Sequence, residues 1–195
     1  MATLKIIRKR ITSIRNTQQI TKAMKMVSAA KLRRAQEAAL LARPYADKMN
    51  EILINLSARV SRSAHPLLAI REEKRIQLVL VTSDRGLCGG YNANLVRAAE
   101  AFIRQHGAGK EILLVLVGRK GADYYRRRRG ETGERYLNFL STPAEELAAV
   151  IAEKLITRFV DGETDAVYLI YSHFRSALSQ VPTVEKILPL ALSET

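Results

Sequence analysis

The stretch Ile76-Gln-Leu-Val-Leu-Val-Thr-Ser-Asp-Arg-Gly-Leu-Cys-Gly-Gly-Tyr-Asn92 decides the fold of this chain. Its first seven residues, 76–82, are apolar and β-branched, a pattern typical of a buried parallel strand. A glycine-rich loop follows, and a helix is predicted over 92–105. A strand, a glycine-rich turn and a helix in this order predict an α/β domain.

The sequence downstream repeats this alternation. Further strands and helices are predicted at 112–117, 119–128, from 142 onward, 166–171 and 181–188. Thr142 is the predicted N-cap of the helix after it, with Pro143 at the first helical position. Pro182 confines the last strand to an edge or to a strand start, because proline cannot donate a ladder hydrogen bond. The pattern predicts a small α/β sandwich with a largely parallel sheet.

The sequence upstream predicts one long helix over 4–59, with Pro44 as the single breaker. Such a helix would be about 80 Å long, far longer than a small domain is wide, so it needs a partner helix. We expect Pro44 to mark a kink or the first turn of a second segment. The predicted coiled-coil seam consists of Leu4, Ile7, Ile11, Ile14, Ile20, Met24 and Val27.

The positive charge of the chain is concentrated in this helix. The formal charge is +13, and residues 1–60 hold 13 basic and 3 acidic side chains, a net charge of +10. No acidic residue precedes Glu37. The pattern implies an acidic partner, which would be nucleic acid, an anionic membrane surface or an acidic protein loop.

Several classes of protein are excluded by composition. The single cysteine, Cys88, rules out a disulfide framework and a cysteine-rich metal site. No apolar run reaches the length of a membrane span. The three histidines, His65, His106 and His173, lack metal-ligand spacing, and no catalytic constellation is present. We therefore expect no catalytic residues, no metal and no cofactor.

The glycine-rich loop leaves two interpretations open. Its position between a strand and a helix N-terminus would suit phosphate binding in a nucleotide-dependent enzyme. Its glycines match neither G-x-G-x-x-G nor a P-loop, so a tight turn with close backbone approach is the alternative, and we expect no nucleotide to bind. A nucleic-acid-binding α/β protein with a basic helical arm is a further alternative, although its aromatic residues are few and lie apart from the charge.

As a ten-residue string, Ser83-Asp-Arg-Gly-Leu-Cys-Gly-Gly-Tyr-Asn92 closely resembles a signature of the gamma subunit of F-type ATP synthases. Residues 14–27 resemble the opening helix of the same family. Further similarity lies in Arg43-Pro-Tyr-Ala46, Ser179-Gln-Val-Pro-Thr183 and Ile187-Leu-Pro-Leu190. The resemblance implies a central rotor shaft that couples ion flow through a membrane ring to ATP synthesis or hydrolysis. It also implies an antiparallel coiled coil with a Rossmann-like domain, without bound nucleotide, at its foot.

The partners that the resemblance implies are the alpha and beta subunits of the catalytic head, the epsilon subunit and the membrane proteolipid ring, with no nucleic acid. The subunit would have no catalytic residues of its own and no membrane span. It would lie peripherally on the cytoplasmic face of a bacterial plasma membrane, or on the equivalent face of an organelle.

Contacts with the acidic loops of the beta subunits are implied for nine residues. These are Met24, Lys22, Lys25, Lys31, Arg33, Arg34, Asp84, Arg85 and Cys88. For the cations, a solvated helix face is the alternative interpretation. Cys88 is equally well interpreted as a small buried hydrophobic residue.

The predicted organisation is a shaft helix at 1–60, a linker at 61–75, a Rossmann-like foot domain at 76–190 and a tail at 191–195. The second long helix of the family is expected to be absent from this chain. Pro182 and Pro189 leave no stretch after Phe159 that could form one.

Overall fold

The computed structural model describes residues 2–57, 61, 64–129, 133–138, 143–176 and 179–190. The chain forms two compact units, residues 1–55 and 56–195. The predicted N-cap Thr142, the predicted tail 191–195 and parts of the predicted helix end and linker, 58–60 and 62–63, lie outside the described residues.

The first unit is formed by one helix, α1 (Ala2–Ser57), whose last two residues are assigned to the second unit. Its sequence contains no glycine and is rich in Ala, Leu, Lys and Arg, all good helix formers. Pro44 lies inside this helix and removes one backbone donor from it. Because α1 continues on both sides of Pro44, this proline does not begin a second helical segment.

The second unit alternates strands and helices, as the sequence predicts. After a 3-10 turn at Pro66–Leu68, its elements are β1 (Arg75–Val81), α2 (Tyr91–His106), β2 (Glu111–Val117), α3 (Arg119–Arg129), β3 (Arg135–Tyr136), α4 (Ala144–Val160), β4 (Ala166–Phe174) and β5 (Gln180–Leu188). The helix α4 begins at Ala144, so Pro143 precedes the helix instead of occupying its first position.

The five strands form one mostly parallel sheet in the order β3-β2-β1-β4-β5. The strand β1 pairs in parallel with both β2 and β4, and β2 pairs in parallel with β3. At the edge, β5 runs antiparallel to β4, and Pro182 lies opposite Ser172. The predicted fold class is confirmed, and β3 is an additional strand that the sequence did not predict.

Helices cover both faces of this sheet. On one face, Leu78 and Leu80 of β1 pack with Leu95 of α2 and Tyr125 of α3. On the other face, Val79 packs in the cluster that contains Leu155 and Phe159 of α4. Neighbouring residues of β1 therefore enter different cores, because successive side chains of a strand point to opposite faces.

The carboxyl ends of β1 and β2 are held together at Thr82 and Gly118. The Thr82 hydroxyl donates to the Val117 carbonyl oxygen at 3.1 Å and accepts from the Gly121 amide at 2.9 Å. Gly118 has a φ of +94°, and a Cβ at this position would collide with the Thr82 carbonyl oxygen. This position therefore requires glycine on two grounds, its backbone conformation and the close approach of another chain segment.

A charged network at the opposite end of the sheet joins the segment before β1 to β4, to β5 and to the residue before β2. The Glu73 carboxylate accepts from Lys186 Nζ at 2.7 Å and from Tyr168 Oη at 2.9 Å, and lies 3.3 Å from Lys110 Nζ. Burial raises the pKa of Glu73, but the hydrogen bonds from Lys186 and Tyr168 outweigh it, so the net pKa is lowered. Burial and the neighbouring Glu73 carboxylate raise the pKa of Tyr168 to about 12.

The pH dependence of folding stability follows from these shifts. The lowered pKa of Glu73 stabilises the fold above the unfolded value of 4.5, and this contribution is lost as the pH falls through the folded value. We expect Glu73→Gln to cost roughly 1 kcal/mol at neutral pH, and the deficit to shrink in acid. Urea unfolding at a series of pH values measures this.

The neighbouring Glu72→Gln is the matched control, because Glu72 is largely exposed and pairs with Lys74 at 2.9 Å. Its stability should stay within about 0.5 kcal/mol of the parent chain. A Glu73→Gln deficit that is the same at every pH would show that the carboxylate charge is not what stabilises this network.

Candidate interaction surfaces

The α1 helix exposes nearly all of its described side chains. Between residues 3 and 55, every side chain is exposed except Gln36, which is half-buried. The predicted seam residues are included, with Ile14 61% exposed and Ile11 45% exposed. A long exposed row of apolar side chains marks a surface for interaction.

The predicted seam separates into two groups on this helix. Each residue advances an α-helix by about 100°, so Leu4, Ile7, Ile11 and Ile14 share one side, which we call the seam stripe. Ile20, Met24 and Val27 lie about 150° around the axis from it, and we call them the outer stripe. Because α1 is continuous between the two groups, Ile20, Met24 and Val27 lie on a different side of the helix from the seam stripe.

The predicted contact cations divide in the same way. Lys31 and Arg34 continue the outer stripe, since positions 20, 24, 27, 31 and 34 are separated by steps of 4, 3, 4 and 3. Lys22 and Lys25 fall on the side of the seam stripe. All four are exposed, as is Arg33, which pairs with Glu37 at 2.8 Å.

In the second unit, Asp84 ties the glycine-rich loop to two neighbouring strand ends. Its Oδ1 accepts from the backbone amides of Arg119 and Asn138, each at 3.0 Å. These residues follow β2 and β3, and Asp84 follows β1. The side chain of Arg119 also donates to Asn138 Oδ1 at 2.7 Å. Asp84 therefore positions the loop at the carboxyl ends of three parallel strands.

Asn92, near the start of α2, closes the loop from the other side. Its Oδ1 accepts from the Ser83 amide at 3.0 Å, and its Nδ2 lies 3.0 Å from Cys88 Sγ. Cys88 is exposed, so its interpretation as a buried hydrophobic residue is wrong. Leu87 is fully exposed at the loop tip with a φ of +62°. Sequence reasoning missed this residue, although an apolar side chain within a glycine-rich turn was a signal for it.

The space beside this loop is small. A cavity of about 220 Å³ is lined in part by Tyr91, Asn94 and Pro182. Small-molecule sites typically occupy roughly 300–1,000 Å³. Gly89 in the loop has a φ of +57°, as a tight turn requires, but a Cβ there would meet nothing within 4 Å, so the close backbone approach expected at this glycine is not found.

Two properties of the described residues bear on the kind of site. No group of three His, Cys, Asp or Glu residues lies close enough to hold a metal ion there. None of the described helices combines the length and the apolar character that crossing a bilayer requires.

One unit of this chain is a long helix with exposed apolar side chains, and the other is a sheet covered by helices on both faces. This combination defines a class of protein, the subunit of a larger assembly. A family model described as ATP synthase matches residues 3–195. The chain is 50% identical over 196 residues to the ATP synthase gamma chain of Geobacter metallireducens, covering 100% of this chain and 68% of the relative. It is 47% identical over 190 residues to that of Desulfitobacterium hafniense, covering 97% and 67%. The chain belongs to the ATP synthase gamma-chain family.

Solved structures show the same likeness. One similar structure is the central stalk and c-ring of the Tetrahymena thermophila mitochondrial ATP synthase. It has a TM-score of 0.70 and 31% identity to this chain, over 87% of this chain and 72% of that one. The rotor of the Euglena gracilis enzyme has a TM-score of 0.65 over 95% of this chain and 62% of that one, and its 21% identity supports the fold alone. The family resemblance read from the sequence is confirmed, and the nucleic-acid alternative gains no support. The chain spans about two thirds of the length of these curated relatives.

Proposed function

We propose that this chain acts as a central-stalk rotor subunit, coupling ion flow through a membrane ring to ATP synthesis or hydrolysis in a catalytic head. Its partners are the alpha and beta subunits of the head, the epsilon subunit and the ring. The observation that carries the proposal is the exposed seam stripe of α1, in a chain of the gamma family. An apolar row of this length requires a partner along the helix.

The seam stripe pairs with a second helix, antiparallel to α1. The curated relatives are longer than the region they share with this chain, which leaves room in them for such a helix. Pairing would cover Leu4, Ile7, Ile11 and Ile14, each of which is about half exposed or more. Covering these side chains stabilises the pair through apolar burial, at about 25 cal/mol per Å².

Met24 and the cations in line with it meet the acidic loops of the beta subunits. Lys31 and Arg34 are exposed, and within the described part of the chain neither forms an ion pair that would have to break first. Exposed charge pairs contribute about 1 kcal/mol or less, so such contacts form and separate easily at each step of rotation. Weak, repeated contact suits a turning shaft better than a buried ion pair would.

The loop provides a second contact with the beta subunits, through Arg85 and Cys88. Both are exposed, whereas Asp84 is engaged with two backbone amides and acts as a positioning residue. Leu87 adds a fully exposed apolar side chain between them.

The contribution of the chain to ATP turnover is mechanical, and it carries no catalytic residues of its own. Torque requires a stiff shaft and an asymmetric surface, so that each rotor angle favours a different conformation of the head. The assembled subunit lies peripherally at the membrane, on the cytoplasmic face in a bacterium.

Direct observation of rotation tests the proposal. In a Cys88→Ser chain, Glu146→Cys provides one exposed thiol on α4 for a fluorescent rod, with the partner helix supplied in trans and the assembled head fixed to a surface. We expect unidirectional turning that requires ATP and stops when ATP is removed. A head that hydrolyses ATP while the rod only fluctuates in both directions would overturn the proposed role.

A further inference from the structure

The two helical layers of the second unit carry opposite charge. We call α2 and α3 together the basic layer, which holds eight Lys or Arg residues against Glu100 and Asp123. On the other face of the sheet, residues 144–163 hold five acidic residues against Lys154 and Arg158. The layers cover different cores, so the domain has one positive and one negative face.

The charge of the basic layer is largely uncompensated. Its exposed cations are Arg97, Arg104, Arg119, Lys120, Arg126, Arg127 and Arg128. Among the described residues, the only ion pair of these cations is Arg126 with Asp123, at 3.3 Å. The guanidinium of Arg128 lies 4.6 Å from the centre of the Tyr124 ring, which leaves its charge available to a partner.

Residues 144–163, which we call the acidic layer, are arranged differently. Their two cations, Lys154 and Arg158, both engage Glu134, at 3.2 and 2.9 Å. They fasten α4 to the segment before β3, so they have a role within the fold. No corresponding role is evident for Arg104, Lys120 or Arg127. Consecutive arginines at the end of α3 interact favourably with the helix dipole but repel one another, so folding stability gives little reason to collect them there.

We propose that the basic layer is a docking surface for an acidic protein surface within the assembled ATP synthase. The inference rests on the proposed function, and adds this contact to those of α1 and the loop. Guanidinium groups bind carboxylates through paired hydrogen bonds, which suits an acidic protein. A membrane surface fits less well, because stable peripheral attachment needs an apolar or lipid anchor besides charge. None of the large exposed apolar side chains of the described part lies on α2 or α3.

Zero-length cross-linking of the assembled complex tests this surface. Arg127→Lys keeps the charge and supplies an amine that a carbodiimide joins directly to a carboxylate in contact with it. Thr157→Lys places the same amine at an exposed position on α4 and is the matched control. We expect residue 127 to cross-link to an acidic residue of another subunit, with a yield that falls roughly threefold or more from low to high salt. Residue 157 should form no such product.

Three results would overturn the inference. The first is an assembled complex in which residue 127 forms no cross-link to another subunit, or forms no more than residue 157 does. The second is the absence of that cross-link in a chain that binds phosphatidylglycerol vesicles. If this binding is lost in the triple variant Arg126→Gln, Arg127→Gln, Arg128→Gln, the surface belongs to a membrane contact. The third is failure of the unmodified chain to copurify with the alpha and beta subunits, which would overturn the proposed function as well.

Discussion

Replacing Ile11 with Asp is expected to lower rotation-coupled ATP synthesis by roughly a hundredfold in complexes assembled with this chain and with the partner helix supplied in trans. The carboxylate would have to enter the apolar seam between α1 and its partner helix, where an unpaired charge costs several kcal/mol. The helix pair would then separate or shift, and the shaft would transmit little torque. ATP synthesis driven by an ion gradient, in vesicles that contain the complex, is the measurement.

Ser13→Asp is the matched control for this substitution. It introduces the same charge two residues away, about 200° around the helix axis and on the side of the outer stripe. Both Ser13 and Ile11 are exposed in the unpaired helix, so solvent exposure cannot account for a difference between the variants. ATP synthesis by Ser13→Asp should stay within about threefold of the parent. Equal loss in both variants would show that Leu4, Ile7, Ile11 and Ile14 are not the seam.

Replacing Gly118 with Ala is expected to have the largest effect on folding, a loss of about 3 kcal/mol or more. The methyl group would collide with the Thr82 carbonyl oxygen, which belongs to rigid backbone, and φ at this position is +94°. Either the strand ends move apart or the backbone leaves its left-handed conformation, and both disturb the core between the sheet and α3. The free energy of unfolding in urea, followed by circular dichroism, measures the loss.

Gly109→Ala separates the two causes. Gly109 also has a positive φ, +73°, but a Cβ there would meet nothing within 4 Å. Its substitution should therefore cost only the backbone strain, about 1 kcal/mol. If the two variants unfold at the same urea concentration, the close approach of Thr82 and Gly118 contributes nothing beyond strain.

The α/β domain was predictable because its central strands are buried on both faces. Such strands appear in sequence as near-continuous apolar runs, and 76–82 and 112–117 both have this form. The strand β3 was missed because two residues carry no periodicity. Its position is fixed instead by contacts distant in sequence, among them the bond from the Asn138 amide to Asp84.

The seam on α1 was predictable in part. The residues from Leu4 to Ile14 lie on one side of a helix. The step of six positions from Ile14 to Ile20 corresponds to a rotation of about 240° around the helix axis. A list of apolar residues conceals this rotation, and a continuous helix reveals it. The exposure of Cys88 was not predictable from composition, because it depends on hydrogen bonds that shape the loop, one from Asn92 to Cys88 and one from the Arg119 amide to Asp84.

The attachment of Asp84 has a mechanical consequence. A surface loop usually yields when it is pushed, and the force is dissipated in bending. Here a force on Leu87 passes through one carboxylate to the ends of β2 and β3, while the loop itself continues β1, which is paired on both sides. The loop tip is therefore a mechanically supported contact, and a force on it is distributed over three strands of the sheet.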